Sequence, residues 1–433
     1  MPNDVFIYVS PTGKDWNPGT QTMPVQTLSK ALSLVPLGYF EKCRIILAPG
    51  TYTEASPINM HLPNPVGPNA IDLAIVGEMR SVLSDRTCTA TDTTNLVYTD
   101  ASLALAPDAF VGATLYCVSG MNKEASRTIV SNTTTALTIN KPWASPPTLG
   151  DVFQVQQPAV VINHVGIAIW GPGPFVGLQY LKIAYNGADS TKGLSAAFLV
   201  KFVAESVDMD LGGGVFALFH YCGINPGAEL AGLFPGSAFS LLRQADWFIH
   251  GGVMSLTNRC QVPNSNNLVA KNLSISCADS CTLAPLSIFG NQTDITLTTC
   301  SSFNHTGIPG HPSVLRNSNG ANTYLIKADK NSIVGGGNAG IQNIQLANSG
   351  GDAILLQGNS HGFIGSVSGA GNAGVGINCT HMSTARVNQG GGITSVTGTA
   401  DTSVAGIAKQ YPGGPPGLCI PFTNTDTLCR IET

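Results

Sequence analysis

Asn272-Leu273-Ser274-Ile275-Ser276-Cys277 carries an apolar side chain at every second residue, and Asp294-Ile295-Thr296-Leu297-Thr298 repeats the pattern downstream. A period of two marks a strand with one face in a core and the other in water. The alternation returns in Asn343-Ile344-Gln345-Leu346 and in Gly374-Val375-Gly376-Ile377-Asn378-Cys379. Leu273 to Ile295 is a step of 22 residues, and the other steps run from the high teens to about thirty, within the range of solenoid repeats. Gly, Asn and Ser turns separate the strands. The lack of intervening helices excludes leucine-rich and Rossmann-type repeats, and propeller blades would be longer and more evenly spaced. The pattern predicts an all-β chain, a right-handed parallel β-helix, with its main coils over 158–411.

Upstream, residues 1–81 read as the end of that rod and its first coils. Val5-Phe6-Ile7-Tyr8-Val9 is a strand, Ser10 to Thr20 a dense turn segment, and Cys43 to Ala48 a second strand. Between them Val25, Leu28, Ala31, Leu32 and Val35 recur at helical spacing, with Pro24 at the start and Pro36 as the stop. A helix there would cover the exposed end of the first coil, a capping role. Residues 82–157 break the rhythm. Gly112 to Val118, Arg127 to Val130, Ala136 to Ile139 and Asp151 to Val155 read as antiparallel strands with short turns, an inserted small β-barrel or sandwich. Residues 412–433, opening with Pro412-Gly413-Gly414-Pro415-Pro416-Gly417, read as a non-helical tail or arm.

Composition narrows the class. Charged residues are 11% of the 433 and apolar residues 43%, with 49 glycines. The surface must therefore be built largely from hydroxyls, amides and backbone, which suits a hydrogen-bonded β protein and excludes a disordered one. The net charge of −4 is scattered, so no basic footprint for nucleic acid exists. The apolar runs are too short to span a membrane. Of the 11 cysteines, Cys277 and Cys281 form a lone C-x3-C without a second pair, and no metal site is expected. Inward positions such as Cys277 and Cys379 suit a thiol acting as a small hydrophobe. Cys419 and Cys429 are the pair expected to crosslink under oxidation. No spacing calls for a cofactor.

The run from Tyr8-Val9-Ser10 to Gly19-Thr20, the following helix and Leu47-Ala48-Pro49-Gly50-Thr51-Tyr52 resemble the opening of pectate-lyase-like β-helix proteins. That group includes polysaccharide lyases, phage tailspikes and surface adhesins, and the resemblance covers about the first 60 residues well. The inserted β module resembles those of phage structural proteins. The resemblance implies a structural component of a phage or phage-like particle: a tail spike, fibre or capsid-surface projection. It implies a homotrimer among other virion proteins, with a host surface glycan as a candidate ligand. Met1-Pro2-Asn3-Asp4 leads into the first strand without the basic start and apolar core of a secretory leader, so release within a virion is the expected route. The alternatives are a polysaccharide-cleaving β-helix enzyme and a bacterial surface adhesin.

For the enzymatic alternative the candidates are Asp208 and Asp210. Val203, Val207, Met209 and Leu211 share one strand face and the two carboxylates the other. Their separation, about 7 Å along a strand, is compatible with an acid and a base in the inverting geometry. A pair of solvated outward carboxylates reads the same way. The galacturonase-like motifs that the resemblance would bring are missing: only Ser360-His361-Gly362 stands where Gly-His-Gly would, without an ordered Asp-Asp pair or Arg-x-Lys. Calcium-dependent lyases need clustered carboxylates, yet between 295 and 425 only Asp329, Asp352 and Asp401 occur. Residues 215 to 250 are dense in aromatics. Tyr221 and Trp247 are the candidate glycan contacts, with core packing as the other use. His220 and His250 lack metal-ligand spacing and read as structural.

Overall fold

The computed structural model describes residues 4–36, 42–61, 72–170, 175–197, 201–218, 223–224, 245–262, 266–285, 287–305, 313–316, 324–335, 341–342, 344–364, 367–370, 377–379, 383–387, 406–410 and 431–432. The chain divides into two compact units. The first comprises Met1–Gly193, Val200–Gly212 and Gly227–Ile249; the second comprises Leu194–Leu199, Gly213–Pro226 and His250–Thr433.

Both units are built of parallel coils, and side chains at equivalent positions stack from coil to coil. In the first, Asp4–Val9, Lys42–Leu47, Asp72–Val76, Phe175–Gln179 and Lys201–Glu205 form one parallel ladder. The register aligns Ile7, Ile45, Ile75 and Leu178 in one inward column, all buried. A second ladder runs through Gly50–Glu54, Val160–His164, Leu181–Tyr185 and Val207–Asp210 and stacks Tyr52, Ile162, Ile183 and Met209. In the second unit Ile275, Ile295, Ile326 and Ile354 form a column with no solvent exposure. Beside it Val262, Leu283, Phe303 and Val334 do the same. Burying β-branched side chains on like side chains is what the alternation in sequence calls for. The architecture is the parallel β-helix, with the right-handed crossover that parallel connections almost always take.

Coil length varies while register holds. Thr282 pairs with Ser302 20 residues on, Ser302 with Ile333 31 on, Ile333 with His361 28 on and His361 with Thr384 23 on. The surplus residues leave at the turns. At one corner the turn is two successive left-handed residues: Asn258-Arg259, Asp279-Ser280, Thr299-Cys300 and Lys330-Asn331 all have positive φ. The turns stack by backbone hydrogen bonds, from Arg259 N–H to Asp279 O, Ser280 to Thr299, Cys300 to Lys330 and Asn331 to Gly358, all 2.9–3.0 Å. Side-chain amides add to the stack where Asn359 Nδ2 donates to Asn331 Oδ1 at 2.8 Å.

The helix is shorter than its periodicity predicts, covering Leu28–Ser33 with Thr27 as N-cap. Val25 does not join it. Val25 is drawn to the free edge of the first strand, exchanging hydrogen bonds with Tyr8 and Ser10 at 2.9–3.0 Å. The Asp15 carboxylate then fixes the boundary by accepting from Gln26 N–H, Thr27 N–H and Thr27 Oγ1. Partial burial works against the Asp15 charge, but these hydrogen bonds prevail and hold its pKa below the usual carboxylate value. At the helix start Glu54, itself buried, accepts from Leu28 N–H and from the Ser29 hydroxyl.

Between Val76 and Val160 the parallel ladders are interrupted by six antiparallel strands, the first beginning at Met79 and the last ending at Pro158. They have a core of their own, with Tyr98, Leu115, Ile129, Leu137 and Phe153 among its enclosed members. Just past the end of the first of these strands, Ala90 forms an antiparallel bridge with Thr99 of the second and Thr89 N–H donates to Thr99 O at 2.7 Å, which brings the two edges of the sheet together in the manner of a small barrel. Both ends of this segment emerge at one point, where Ala159 N–H donates to Glu78 O at 2.6 Å. Leu73 pairs with Val176, 103 residues on. Without the 80 residues of Met79 to Pro158 that step is 23, an ordinary coil.

The barrel also rests against its unit: Thr114 Oγ1 and Ser206 Oγ lie 3.2 Å apart, and Gly112 meets the face of Phe248. Gly112 has φ +85, and a Cβ there would run into the Phe248 ring. Gly112→Leu is therefore expected to cost about 1–3 kcal/mol for the backbone alone, plus the displaced ring. Differential scanning calorimetry should show a clearly lowered midpoint, and an unchanged midpoint would mean that barrel and coil do not press together there.

Candidate functional site

The two carboxylates singled out from the sequence sit on the strand Val207–Asp210, whose Val207 and Met209 point into the core at 1–2% exposure. Asp208 and Asp210 point outward, as the alternation requires. Parallel pairing sets Lys182 beside Asp208 and Ala184 beside Asp210. The Lys182 ammonium then reaches both carboxylates, 3.5 Å from Asp208 Oδ2 and 3.5 Å from Asp210 Oδ2. Asp210 Oδ1 additionally accepts from Gly212 N–H at 3.2 Å.

An inverting hydrolase needs a substrate and a water between its carboxyl groups. Here the position between them is held by a cation, and the triad is a partly charge-compensated surface cluster of the kind worth about 0–1 kcal/mol. Lys182 was not anticipated from sequence. The signal for it was the coil step itself, because residue 182 falls one turn, 26 residues, before Asp208.

Of the two aromatic candidates, Tyr221 lies outside the described residues. Trp247 is 1% exposed and packs in the core, so its ring offers no face to a sugar. Phe216 and Phe248 are likewise enclosed. The most exposed described aromatic is instead Trp16, at 80%, with the Lys14 ammonium 5.2 Å from its ring centre. Its loop is held by Asp15 and by Asn17 Nδ2, which donates to Pro24 O at 2.8 Å. Sequence reading passed over Trp16 because it stands alone, outside the aromatic-rich stretch.

The described thiols are mostly enclosed. Burial pushes Cys43 up to about 12 and raises Cys117 and Cys277 as well, so none of these three is a ready nucleophile. Cys300, at the corner turn, is exposed. Cys379 points in a direction the structure does not describe, and Cys419 and Cys429 lie outside the described residues. Among the described residues no group of three or more His, Cys, Asp or Glu side chains is arranged to hold a metal ion. No described helix is long and apolar enough to cross a membrane.

No family model matches the chain, and no curated protein matches it. Solved structures do. A glycoside hydrolase is similar at 11% identity and TM-score 0.26, over 89% of this chain and 93% of that one. The tailspike gp61 of Pseudomonas phage phi297 is similar at 10% identity and TM-score 0.25, over 91% of this chain and 76% of that one. The Gp54 tailspike of Acinetobacter baumannii bacteriophage AP22, solved with a capsular saccharide, is similar at 9% identity and TM-score 0.23, over 90% of this chain and 75% of that one. At these values the reading of function rests on the residues of this chain.

Proposed function

We propose that the chain is a structural component of a phage or phage-like particle, a spike, fibre or surface projection that assembles as a homotrimer. The observation that carries this reading is the state of the carboxylate pair. The residues best placed for hydrolysis are occupied by Lys182, on a low-charge β-helix that carries a barrel on one of its coils. Coils of this kind are suited to presenting surface rather than to turnover. Glycan contact belongs to exposed rings, and Trp16 offers one where Trp247 does not.

Two measurements test the reading together. Light scattering on the purified protein should give about three times the 44.9 kDa chain mass, and a strict monomer in dilute neutral buffer would count against a spike. A panel of bacterial and plant polysaccharides should remain uncut after prolonged incubation. Reducing-end release that vanishes in the Asp208→Asn, Asp210→Asn double variant would replace this reading with that of a glycan-cleaving β-helix enzyme.

A further inference from the structure

The residue that leaves each left-handed corner turn is small, polar and buried, and it forms an inner ladder. Cys260, Cys281, Ser301, Ser332, Ser360 and Ser383 occupy the same position in successive coils, all at 0–1% exposure. Four of the five steps are bonded in one way: a backbone N–H donates to the side chain of the next coil. Cys260 N–H reaches Cys281 Sγ at 3.1 Å, Cys281 N–H reaches Ser301 Oγ at 3.2 Å, and Ser332 and Ser360 repeat the bond to Ser360 and Ser383. Four rungs are serine. The two at one end are cysteine, and they are neighbours.

We infer that Cys260 and Cys281 are a crosslinking site, two thiols of successive coils placed to close into a disulfide that staples one coil to the next. The pairing of Gln261 with Thr282 fixes Cys260 directly beside Cys281. Parallel neighbours stand about 4.7–4.9 Å apart, inside the window of about 4.4–6.8 Å between the Cα atoms of a disulfide. At present the Cys260 thiol is turned back to donate to Thr257 O at 3.0 Å. Rotation about its Cα–Cβ bond carries the sulfur from that carbonyl toward Cys281.

The Cys281 thiol is held below the usual thiol range, first by hydrogen bonding with the Cys260 side chain. It is the one to attack first. Its thiolate displaces one thiolate from a small disulfide oxidant such as oxidised glutathione. The Cys260 thiolate then attacks the Cys281 sulfur and releases the second. Two S–H bonds and the oxidant's S–S bond break, one protein S–S bond forms, and the two protons leave on two molecules of reduced glutathione. Cytosolic conditions keep such a pair reduced and oxidising surroundings close it, so the staple belongs to the protein after it has left a reducing compartment. The bridge depends on this corner alone, and its failure would leave the virion reading untouched.

The test uses the full chain, incubated with oxidised glutathione below its unfolding temperature, alkylated in denaturant and digested without reduction. The expected result is a peptide pair joining Cys260 to Cys281, two hydrogens lighter than the reduced pair and released by dithiothreitol. The oxidised protein should melt roughly 5 °C or more above the reduced one. Cys260→Ser should form no such pair and keep the midpoint of the reduced parent, because serine already fills this position in four other coils. Full alkylation of both cysteines after oxidation, bridging of either to a different cysteine, or a bridge without a rise in the midpoint would each overturn the inference.

Discussion

Between about pH 6.5 and pH 4 the protein should lose stability steeply, with His164 and His305 as the cause. Both rings are 2% exposed, and burial drives each pKa down to about 4 from its ordinary value near 6.5. At His305 a hydrogen bond with Pro285 O, at 2.9 Å from Nδ1, opposes the shift without reversing it. His164 packs against the Tyr185 ring at 5.6 Å. Because the folded pKa is the lower one, the unfolded chain binds more protons throughout this window. Stability is therefore complete above about pH 6.5, falls as the pH approaches 4, and levels off below. A shift from about 6.5 to about 4 is worth about 3 kcal/mol per ring.

Asp15 and Asp92 stay outside that window. Partial burial raises each pKa, hydrogen bonds outweigh it, and the net shift is downward, so their contribution is lost only below the usual carboxylate range. Denaturant titrations from pH 7.5 to 4 should show a slope approaching two protons. His164→Leu and His305→Leu should each remove about one of them, whatever they do to stability at neutral pH. A flat profile in the parent, or an unaltered slope in the double variant, would contradict the assignment.

What the sequence discloses here, and what it hides, follows from the period of two. Alternation at 272–277 and 294–298 identifies strands and their inward faces, and Ile275 and Ile295 are indeed core residues. It does not identify which residues are equivalent. The step from Leu273 to Ile295 counts 22 residues, whereas the structure pairs Ile275 with Ile295, a step of 20. Moving a strand by two leaves every side chain on its own face, so the pattern is blind to that shift. The corner fixes the register, through left-handed turns such as Thr299-Cys300 that contain no glycine to announce them. The Cys and Ser that follow look unremarkable singly; only as a column do they acquire a role. For the same reason the two carboxylates were legible and Lys182 was not, and Trp247 was legible as an aromatic but not as an enclosed one.

Three deletions should separate the barrel from the coils and test the register itself. Removing Met79 to Pro158 and joining the ends through two glycines should be the mildest, because Glu78 and Ala159 are already hydrogen-bonded to each other. The loss would be the cover over Phe248 and the Thr114–Ser206 contact, about 1.5–3 kcal/mol for one large apolar side chain. A deletion of similar length within the coils depends on phase. Ala270 pairs with Gly290, Gly290 with Leu315 and Leu315 with Leu346. Removing 270 to 345 therefore joins Val269 to Leu346, the residue that stands in the place of Ala270 three coils on. Ala270 and Leu346 are both inward and buried, so the shortened chain should fold with the stability of three coils and their interfaces removed. Removing 270 to 344 differs by one residue, but it turns Gln345 into the core and Leu346 out of it, and every side chain to the next turn changes face. Soluble yield and thermal midpoint should fall in that order, with the out-of-phase deletion failing to fold. An out-of-phase deletion as stable as the in-phase one, or a barrel deletion that abolishes folding while both coil deletions are tolerated, would refute the assignment of coils and insert.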